Sequence, residues 1–200
     1  MIILKTVANM KNISNLTNDY LNTLKKTIDS ISYKEVNEFI SALIKAYENK
    51  NQIFIMGNGG SAATASHFAC DINKGISFKL DKKFKVISLS DNIPTMMAYA
   101  NDVTFDDIFL EQLKNFLAPN DLVIGISGSG NSKNVIKAIE YANRKNAITI
   151  GITGYDGGKL KQISHLSINA NIDDMQISED IHMILVHLTM RLLSQILIKT

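Results

Sequence analysis

The feature that most constrains the fold is a glycine-rich turn that directly follows a short apolar run. Residues 52–55 (QIFI) have the length and composition of a buried strand, and residues 56–63 (MGNGGSAA) supply a tight turn followed by helix-favouring residues. Such a strand–turn–helix unit points free backbone N–H groups and the positive end of the helix dipole at one small volume, which suits a phosphate. The unit therefore predicts an α/β chain with an anion site.

A second turn of the same kind lies in the middle of the chain. Residues 126–132 (ISGSGNS) follow the strand-like residues 121–125 (DLVIG). Ser127, Ser129 and Ser132 offer hydroxyl donors, and the intervening glycines let the backbone close around a tetrahedral anion. One such loop is more often an ordinary capped turn, but two in one chain favour a phosphorylated small molecule. The sequence contains neither GxxxxGK[ST] nor GxGxxG with a following acidic residue, which disfavours nucleoside triphosphates and dinucleotides.

The remaining periodicity predicts a parallel sheet that is covered by helices on both faces. Two amphipathic helices are predicted before residue 50, and short apolar runs then alternate with helical stretches. The predicted strands are residues 53–56, 86–89, 122–126, 148–152 and 166–168. Helix starts are predicted near Ser61, Pro94, Thr104 and Ser132. In such sheets ligands bind beyond the carboxyl ends of the strands, so residues 57–61, 90–91 and 127–132 should converge on one site.

Composition narrows the choice of partners and compartment. The chain has 200 residues, with 21 basic and 19 acidic residues and a net charge of +2, so it shows no basic footprint for nucleic acid or an anionic membrane. Cys70 is the only cysteine, which excludes an intrachain disulfide and favours a reducing compartment; we expect it to be a small packed side chain. We therefore expect a cytoplasmic protein of one domain.

The apolar segment of residues 181–198 approaches the length of a bilayer span but carries polar side chains that are expensive in lipid, namely His182, His187, Arg191 and Gln195. A helix that is apolar on nearly every face of a globular protein is normally buried. We expect this helix to lie in the core and partly in a subunit interface.

Two groups of polar residues are candidates for chemistry. His67 and Asp71 are four residues apart on the helix that Ser61 opens, so they share one face, as a metal pair, an acid/base pair or a buried histidine with its carboxylate partner would. Glu179 and two histidines, His182 and His187, lie in the apolar C-terminal helix, where polar groups need partners. They indicate either a site or hydrogen-bonded core histidines.

These motifs together resemble a known family. The turn of residues 57–61 followed by His67, the loop of residues 127–132, and the helix that carries Glu179 and His187 are similar to the sugar-isomerase (SIS) fold, and within it to the phosphoheptose isomerases. The resemblance runs from about residue 13 to the end of the chain. It implies a three-layer αβα SIS fold with a five-stranded parallel sheet, forming a single SIS domain over residues 1–200. It also implies that N-terminal helices, residues 13–48, pack on this domain and on neighbouring subunits of a homotetramer.

The resemblance implies an aldose–ketose isomerase that converts sedoheptulose 7-phosphate to D-glycero-D-manno-heptose 7-phosphate through an enediol. The heptose would serve lipopolysaccharide, capsule or another bacterial surface glycan. The implied substrate-binding residues are Asn58, Gly59, Gly60, Ser61, Asp71, Ser90, Asp91, Ser127, Gly128, Ser129, Ser132 and Glu179. Within this set the resemblance gives the phosphate to Ser61, Ser127, Ser129 and Ser132, and the sugar hydroxyls to Ser90 and Asp91.

The resemblance further implies one zinc ion per subunit, held by His67, Asp71, Glu179 and His187. The family usually has glutamate in place of Asp71, glutamine in place of Glu179 and often threonine in place of Gly128. Both carboxylates keep an oxygen donor, so a site of two histidines and two carboxylates is chemically sound for zinc. We assign Asp71 and His187 as the catalytic acid/base pair, because a carboxylate and an imidazole can exchange protons near neutral pH.

The alternative function is a non-catalytic SIS protein, either a sugar-phosphate sensor or a replication-initiation regulator. Such a protein would need the two serine-containing turns but not the acid/base residues, so the presence of all four of the latter disfavours it.

One geometric expectation concerns the subunits. Glu179 and His187 are eight residues apart on one predicted helix, which is about 12 Å along the axis at ~1.5 Å per residue. Side chains that far apart cannot easily share one ion. We therefore expect one of them, with His187 favoured, to complete the site of a neighbouring chain.

Overall fold

Two long helices open the chain, as predicted. A computed structural model describes residues 2–198, with side chains from residue 12 onward. Helix α1 spans Ile2–Asp29 and helix α2 spans Tyr33–Asn49. Ser32 caps α2 by accepting a hydrogen bond from the Glu35 backbone N–H, and Lys50 ends it in the left-handed conformation at φ 60°. These caps fix the residues at which α2 begins and ends, two residues before β1.

Five parallel strands form one sheet, which confirms the predicted strands. They are β1 (Gln52–Gly57), β2 (Lys85–Ser88), β3 (Leu122–Ser127), β4 (Ile148–Gly154) and β5 (Leu166–Ala170). The order across the sheet is β2-β1-β3-β4-β5. Because β2 lies on one side of β1 and all later strands lie on the other, the winding reverses between β1 and β3. A crevice at the carboxyl ends of two such strands is the usual ligand site of an open α/β sheet.

Helices connect the strands, and their starts fall within a few residues of those predicted. They are α3 (Gly60–Cys70), α4 (Ile93–Asp102), α5 (Ile108–Phe116), α6 (Lys133–Arg144), α7 (Gly158–Ile163) and α8 (Met175–Leu197). A single π-helical turn, Asp71–Ile76, and a short 3-10 turn, Ser77–Lys79, prolong α3. Thr104 accepts a hydrogen bond from the Asp106 N–H at the start of another 3-10 turn, Phe105–Asp107, which leads into α5.

The sheet is buried on both faces, because successive side chains of a strand point to opposite sides. From β1, Ile53 and Ile55 pack with α2, α3 and α8, whereas Phe54 and Met56 pack with α5 and α6. This arrangement confirms the three-layer αβα fold.

Helix α8 is buried against the sheet and the helices α1, α2 and α3. Within residues 2–198, no helix is long and apolar enough to cross a membrane. The expectation that Cys70 is packed is wrong, because its side chain is exposed. The inward positions at that end of α3 are taken instead by Phe68, Ala69 and Ile72, all of which are buried.

Candidate functional site

The first glycine-rich turn joins β1 to α3 and is shaped by close backbone approach. Gly59 has φ 53°, a conformation that favours glycine. A Cβ on Gly57 would lie 2.6 Å from the Ser61 backbone oxygen, so a larger residue would disrupt the turn. Ser61 itself is buried in the first turn of α3. The amino end of α3 therefore opens on the crevice between β1 and β3.

The second turn joins β3 to α6 and brings its serine hydroxyls together. Ser127 Oγ lies 3.0 Å from Ser132 Oγ, and Ser129 Oγ accepts a hydrogen bond from the Asn131 backbone N–H at 3.2 Å. Ser132 occupies the N-cap position of α6 but its side chain does not cap the helix. Its hydroxyl faces the turn instead, which is the arrangement expected of an anion site.

A pair of amides ties the two turns together, and one of them, Asn134, was not predicted from the sequence. Asn58 Nδ2 donates to Asn134 Oδ1 at 2.8 Å, and Asn134 Nδ2 donates to Asn58 Oδ1 at 2.9 Å. Asn134 lies in the first turn of α6 and is buried. The side chain of Asn58 thus joins the two turns, and one of its amide hydrogens remains for a ligand. An asparagine directly after the predicted helix start was the only sequence signal for this partner.

Ser90 and Asp91 follow β2 and contact the two elements beside it, the end of β1 and helix α3. Ser90 is buried; its Oγ donates to the Gly57 carbonyl at 3.0 Å and accepts from the Gly57 N–H at 3.3 Å. Asp91 is exposed and accepts a hydrogen bond from the Ser66 hydroxyl of α3. Ser90 therefore fixes the end of β1, and only Asp91 keeps an exposed polar group for a sugar hydroxyl.

Three candidate residues of the acid/base and metal set converge. His67 Nε2 lies 3.2 Å from His187 Nε2 and 3.3 Å from Asp71 Oδ2. One ligand atom from each of the three residues lies within 4.8 Å of the others. The pair predicted at i and i+4 on α3 is thus joined by a histidine of α8. We call these residues the His–Asp–His cluster.

The expectation that one of Glu179 and His187 completes the site of a neighbouring chain stays a prediction, but His187, the favoured residue, contacts His67 of its own chain. Helices α3 and α8 run side by side, so that the start of α8 meets the start of α3 and His187 meets His67. This packing could not be read from the sequence spacing.

Glu179 stands apart from the cluster, at the amino end of α3. A Cβ on Gly60 would lie 2.6 Å from both carboxylate oxygens of Glu179, so this carboxylate rests directly on the glycine. The separation of about 12 Å that the helix imposes between Glu179 and His187 explains why both do not join one cluster. A carboxylate is electrostatically favoured at a helix amino end. Among the described residues, His67, Asp71 and His187 therefore meet within one chain and Glu179 lies apart from them, while its role as a metal ligand stays a prediction.

Tyr20 links the N-terminal helix to the residue beside Glu179. Its hydroxyl donates to Asp180 Oδ2 at 2.5 Å. This hydrogen bond, together with burial and the negative charge of Asp180, raises the pKa of Tyr20 to about 12. Sequence reasoning did not identify this contact, which fixes α1 on the first turns of α8.

His182 is a core residue and does not join the cluster. Its side chain is 1% exposed, and neither ring nitrogen hydrogen-bonds to a described side chain. Burial lowers the pKa of His182, an effect that the backbone of Thr153 only partly opposes. The alternative of a core histidine therefore applies to His182 but not to His187.

We expect His182 to make the fold sensitive to acid. Above the ordinary histidine pKa of about 6.5 the ring is neutral in both the folded and the unfolded chain. Below it, the unfolded chain binds a proton that the folded chain refuses, so the free energy of unfolding falls as the pH falls, with a slope of up to ~1.4 kcal/mol per pH unit from this group. Urea unfolding between about pH 7.5 and 5 should show a steeper loss for the native chain than for His182→Phe. Equal slopes would contradict this role.

Comparison with known proteins agrees with this fold. Residues 18–154 match the SIS domain family model. The phosphoheptose isomerase of Helicobacter pylori is 36% identical over 166 residues, which are 82% of this chain and 85% of that protein. The solved phosphoheptose isomerase from Francisella tularensis superposes with a TM-score of 0.85 at 22% identity, covering 94% of this chain and 98% of that one. The solved phosphoheptose isomerase from Neisseria gonorrhoeae superposes with a TM-score of 0.84 at 24% identity, covering 93% of this chain and 98% of that one. The chain therefore belongs to the phosphoheptose isomerase family of SIS-domain proteins.

Proposed function

We propose that the protein interconverts sedoheptulose 7-phosphate and D-glycero-D-manno-heptose 7-phosphate. The observation that carries this proposal is the His–Asp–His cluster, in which His67 of α3 and Asp71 of the π-helical turn that prolongs α3 meet His187 of α8, while α3 itself begins at a phosphate-type turn. Gly60 and His67 are seven residues apart, about 10 Å along α3. An extended chain of eight single bonds, the path from the phosphorus to C1 of a heptose 7-phosphate, also spans ~10 Å at about 1.2 Å per bond.

The serine-containing turn after β3 would hold the phosphate, together with Ser61 and the backbone N–H groups of both turns. The buried positions of Ser61 and Ser127 support this role, since hydrogen bonds to an anion strengthen where water is excluded. Glu179 and Asp91 would accept hydrogen bonds from sugar hydroxyls between the phosphate and the reacting carbons.

The isomerisation moves one hydrogen between two carbons. Asp71 takes a proton from C1 of the ketose while His187, protonated, gives one to the C2 carbonyl oxygen, and the enediol forms. His187, now neutral, takes the proton of the C1 hydroxyl as Asp71 delivers its proton to C2, which yields the aldose and returns both residues to their starting states. The 3.3 Å contact of Asp71 with His67 and the 3.2 Å contact of His67 with His187 support a shared role of these groups in proton transfer.

A zinc ion fits the donor set of the His–Asp–His cluster. Two imidazoles and one carboxylate whose ligand atoms lie within 4.8 Å of one another match a three-residue zinc site with one open position. When bound, such an ion supplies Lewis-acid polarisation of a carbonyl oxygen. In this proposal His67, Asp71 and His187 hold the metal and Glu179 does not. Because an imidazolium has no free lone pair for a metal, His187 leaves the ion while it carries the proton that it gives to the substrate.

Removal of the metal should inactivate the enzyme. Chelator-treated protein is expected to lose isomerase activity and to regain it with Zn²⁺, and His67→Ala should contain less zinc by elemental analysis than the native protein. The matched control is His165→Ala, which removes an exposed histidine directly before β5 that hydrogen-bonds to Thr149 and is not a member of the cluster. Full activity of the metal-free protein would limit the cluster to acid/base chemistry.

The serine hydroxyls of the second turn should govern substrate affinity. In Ser127→Ala combined with Ser129→Ala, each lost hydrogen bond to the charged phosphate should cost roughly 1.5–3 kcal/mol, which together raise KM by about 100-fold or more. Steady-state kinetics measure KM, and circular dichroism checks the fold. Ser41→Ala, an exposed serine on α2, is the control. An unchanged KM in the double variant would remove phosphate binding from this turn.

The direct test of the proposed function is to incubate the purified protein with sedoheptulose 7-phosphate and follow the reaction by NMR. New anomeric proton signals of an aldose phosphate should appear. In D₂O, the product should carry deuterium at C2 to the extent that the transferred proton exchanges with solvent. The absence of an aldose at equilibrium would refute the activity.

We further propose a cytoplasmic homotetramer of one SIS domain per chain, with the helices of residues 13–48 packed on neighbouring subunits. Apolar side chains that α1 leaves exposed support this assembly, namely Ile13, Leu16, Leu21 and Ile28. A single cysteine and a near-neutral charge support the compartment and the absence of nucleic-acid or membrane partners. The heptose product would enter lipopolysaccharide, capsule or another surface glycan. The non-catalytic alternative is not favoured, because a binding protein has no need of the His–Asp–His cluster.

A further inference from the structure

The first turn of α8 contacts three glycines, namely Gly60 at the start of α3, Gly128 directly after β3 and Gly154 at the end of β4. Glu179 rests on Gly60, and Ser178 packs on Gly154, where a Cβ would lie 2.6 Å from the Ser178 Cβ. Residues 175, 178 and 179 share one helical face because they are three and four positions apart. This turn of α8 therefore borders the crevice at the start of α3, at the turn after β3 and at the end of β4.

Met175 makes the third of these contacts, on the phosphate-type turn itself. A Cβ on Gly128 would overlap the Met175 sulfur and lie 3.3 Å from its terminal methyl group. Gly128 lies between Ser127 and Ser129, the residues proposed to bind the phosphate. The Met175 thioether thus occupies the space that any side chain at position 128 would take. The backbone of Gly128 is also held, because its carbonyl accepts the Gly154 N–H at 2.7 Å.

We propose that Met175 forms one wall of the phosphate pocket and determines how tightly the turn of residues 127–132 closes on a phosphate. This inference rests on the proposed function for the identity of the phosphate ester. Met175 is half-buried and carries no charge. An apolar side chain on this side of the turn keeps water from competing for the serine hydroxyls and backbone N–H groups that bind the anion. Gly128 is required because a side chain there would displace Met175.

A double-mutant cycle tests this pairing. The four proteins are the native chain, Met175→Ala, Gly128→Ala and the double variant, with Gln176→Ala as the control because Gln176 is exposed in the same helical turn. We measure the Kd for inorganic phosphate by ³¹P NMR titration, and KM and kcat with sedoheptulose 7-phosphate. Thermal unfolding of each protein separates loss of binding from loss of folding.

Met175→Ala should raise both Kd and KM about tenfold and leave kcat within about twofold. Gly128→Ala should have a similar effect in the native background, because it pushes Met175 aside, but an effect below about twofold when Met175 is already alanine. The added methyl group meets only the flexible end of a methionine, so Gly128→Ala is expected to fold.

Two results would overturn the proposal. One is a Met175→Ala variant that unfolds at a lower temperature with unchanged Kd and KM, because Met175 would then only pack behind the turn. The other is a Gly128→Ala effect of equal size in both backgrounds. Failure of the proposed function is distinguishable, since a native chain without isomerase activity would still report the phosphate Kd of every variant.

Discussion

Replacement of Asp71 by asparagine is expected to lower kcat by at least ~100-fold, the usual lower scale of general acid/base catalysis, and to leave the fold intact. The amide keeps the size of the side chain but cannot take the proton from C1. It removes the charge that faces His67 at 3.3 Å. Asp71 is the first residue of the π-helical turn and is partly exposed, so its substitution creates no cavity in the core.

The comparison that isolates the proton transfer uses two further variants. Asp71→Glu keeps the carboxylate on a longer stem and should retain part of the activity. Asp81→Asn removes an exposed carboxylate in the loop before β2 and should leave kcat unchanged. Steady-state kinetics of the three variants, with zinc content measured in each, decide the assignment. A near-native kcat for Asp71→Asn at full zinc content would transfer the base to His187.

Mixing two inactive variants is expected not to restore activity. His67→Ala and His187→Ala should each be inactive, because each loses one of two imidazoles that meet at 3.2 Å within one chain. Subunits of the two variants, unfolded and refolded together, still carry a broken cluster in every chain. The expected activity of the mixture is therefore that of the parents.

Isotope-labelled subunits and native mass spectrometry must show that mixed oligomers formed. Native chains mixed with His187→Ala provide the reference, and their activity should fall in proportion to the fraction of native chains. Recovery of activity in confirmed mixed oligomers of the two variants would mean that His187 also serves a neighbouring chain.

Most of the fold could be predicted because the composition and length of each segment matched the strand or helix that it forms. The apolar runs that became β1 and β3 are buried on both faces and end in glycine turns, so their length and composition were sufficient. The His67 and Asp71 pair was visible because helical spacing is local. Cys70 was misjudged because nothing in sequence spacing shows which side of α3 faces the sheet.

The contacts between separate helices could not be predicted from the sequence. The distance from Glu179 to His187 was correctly derived from helix geometry, but which of them meets His67 depends on how α8 lies along α3. Asn134 and Tyr20 were missed for the same reason, since their partners lie 76 and 160 residues away. The spacing of apolar residues shows which face of a single helix or strand is buried, but it does not show which helices and strands meet. The contacts of the site join several such elements.

The reciprocal amide pair of Asn58 and Asn134 has a consequence for the rate of reaction. Two hydrogen bonds between the same two side chains form a closed ring, so neither amide can rotate without breaking both. The two glycine-rich turns follow β1 and β3, the strands between which the winding reverses. The amide pair therefore holds the two turns together before substrate binds. In the proposed mechanism, the binding energy of the phosphate then need not be used to order the loops, and remains available to hold the reacting carbons beside Asp71 and His187.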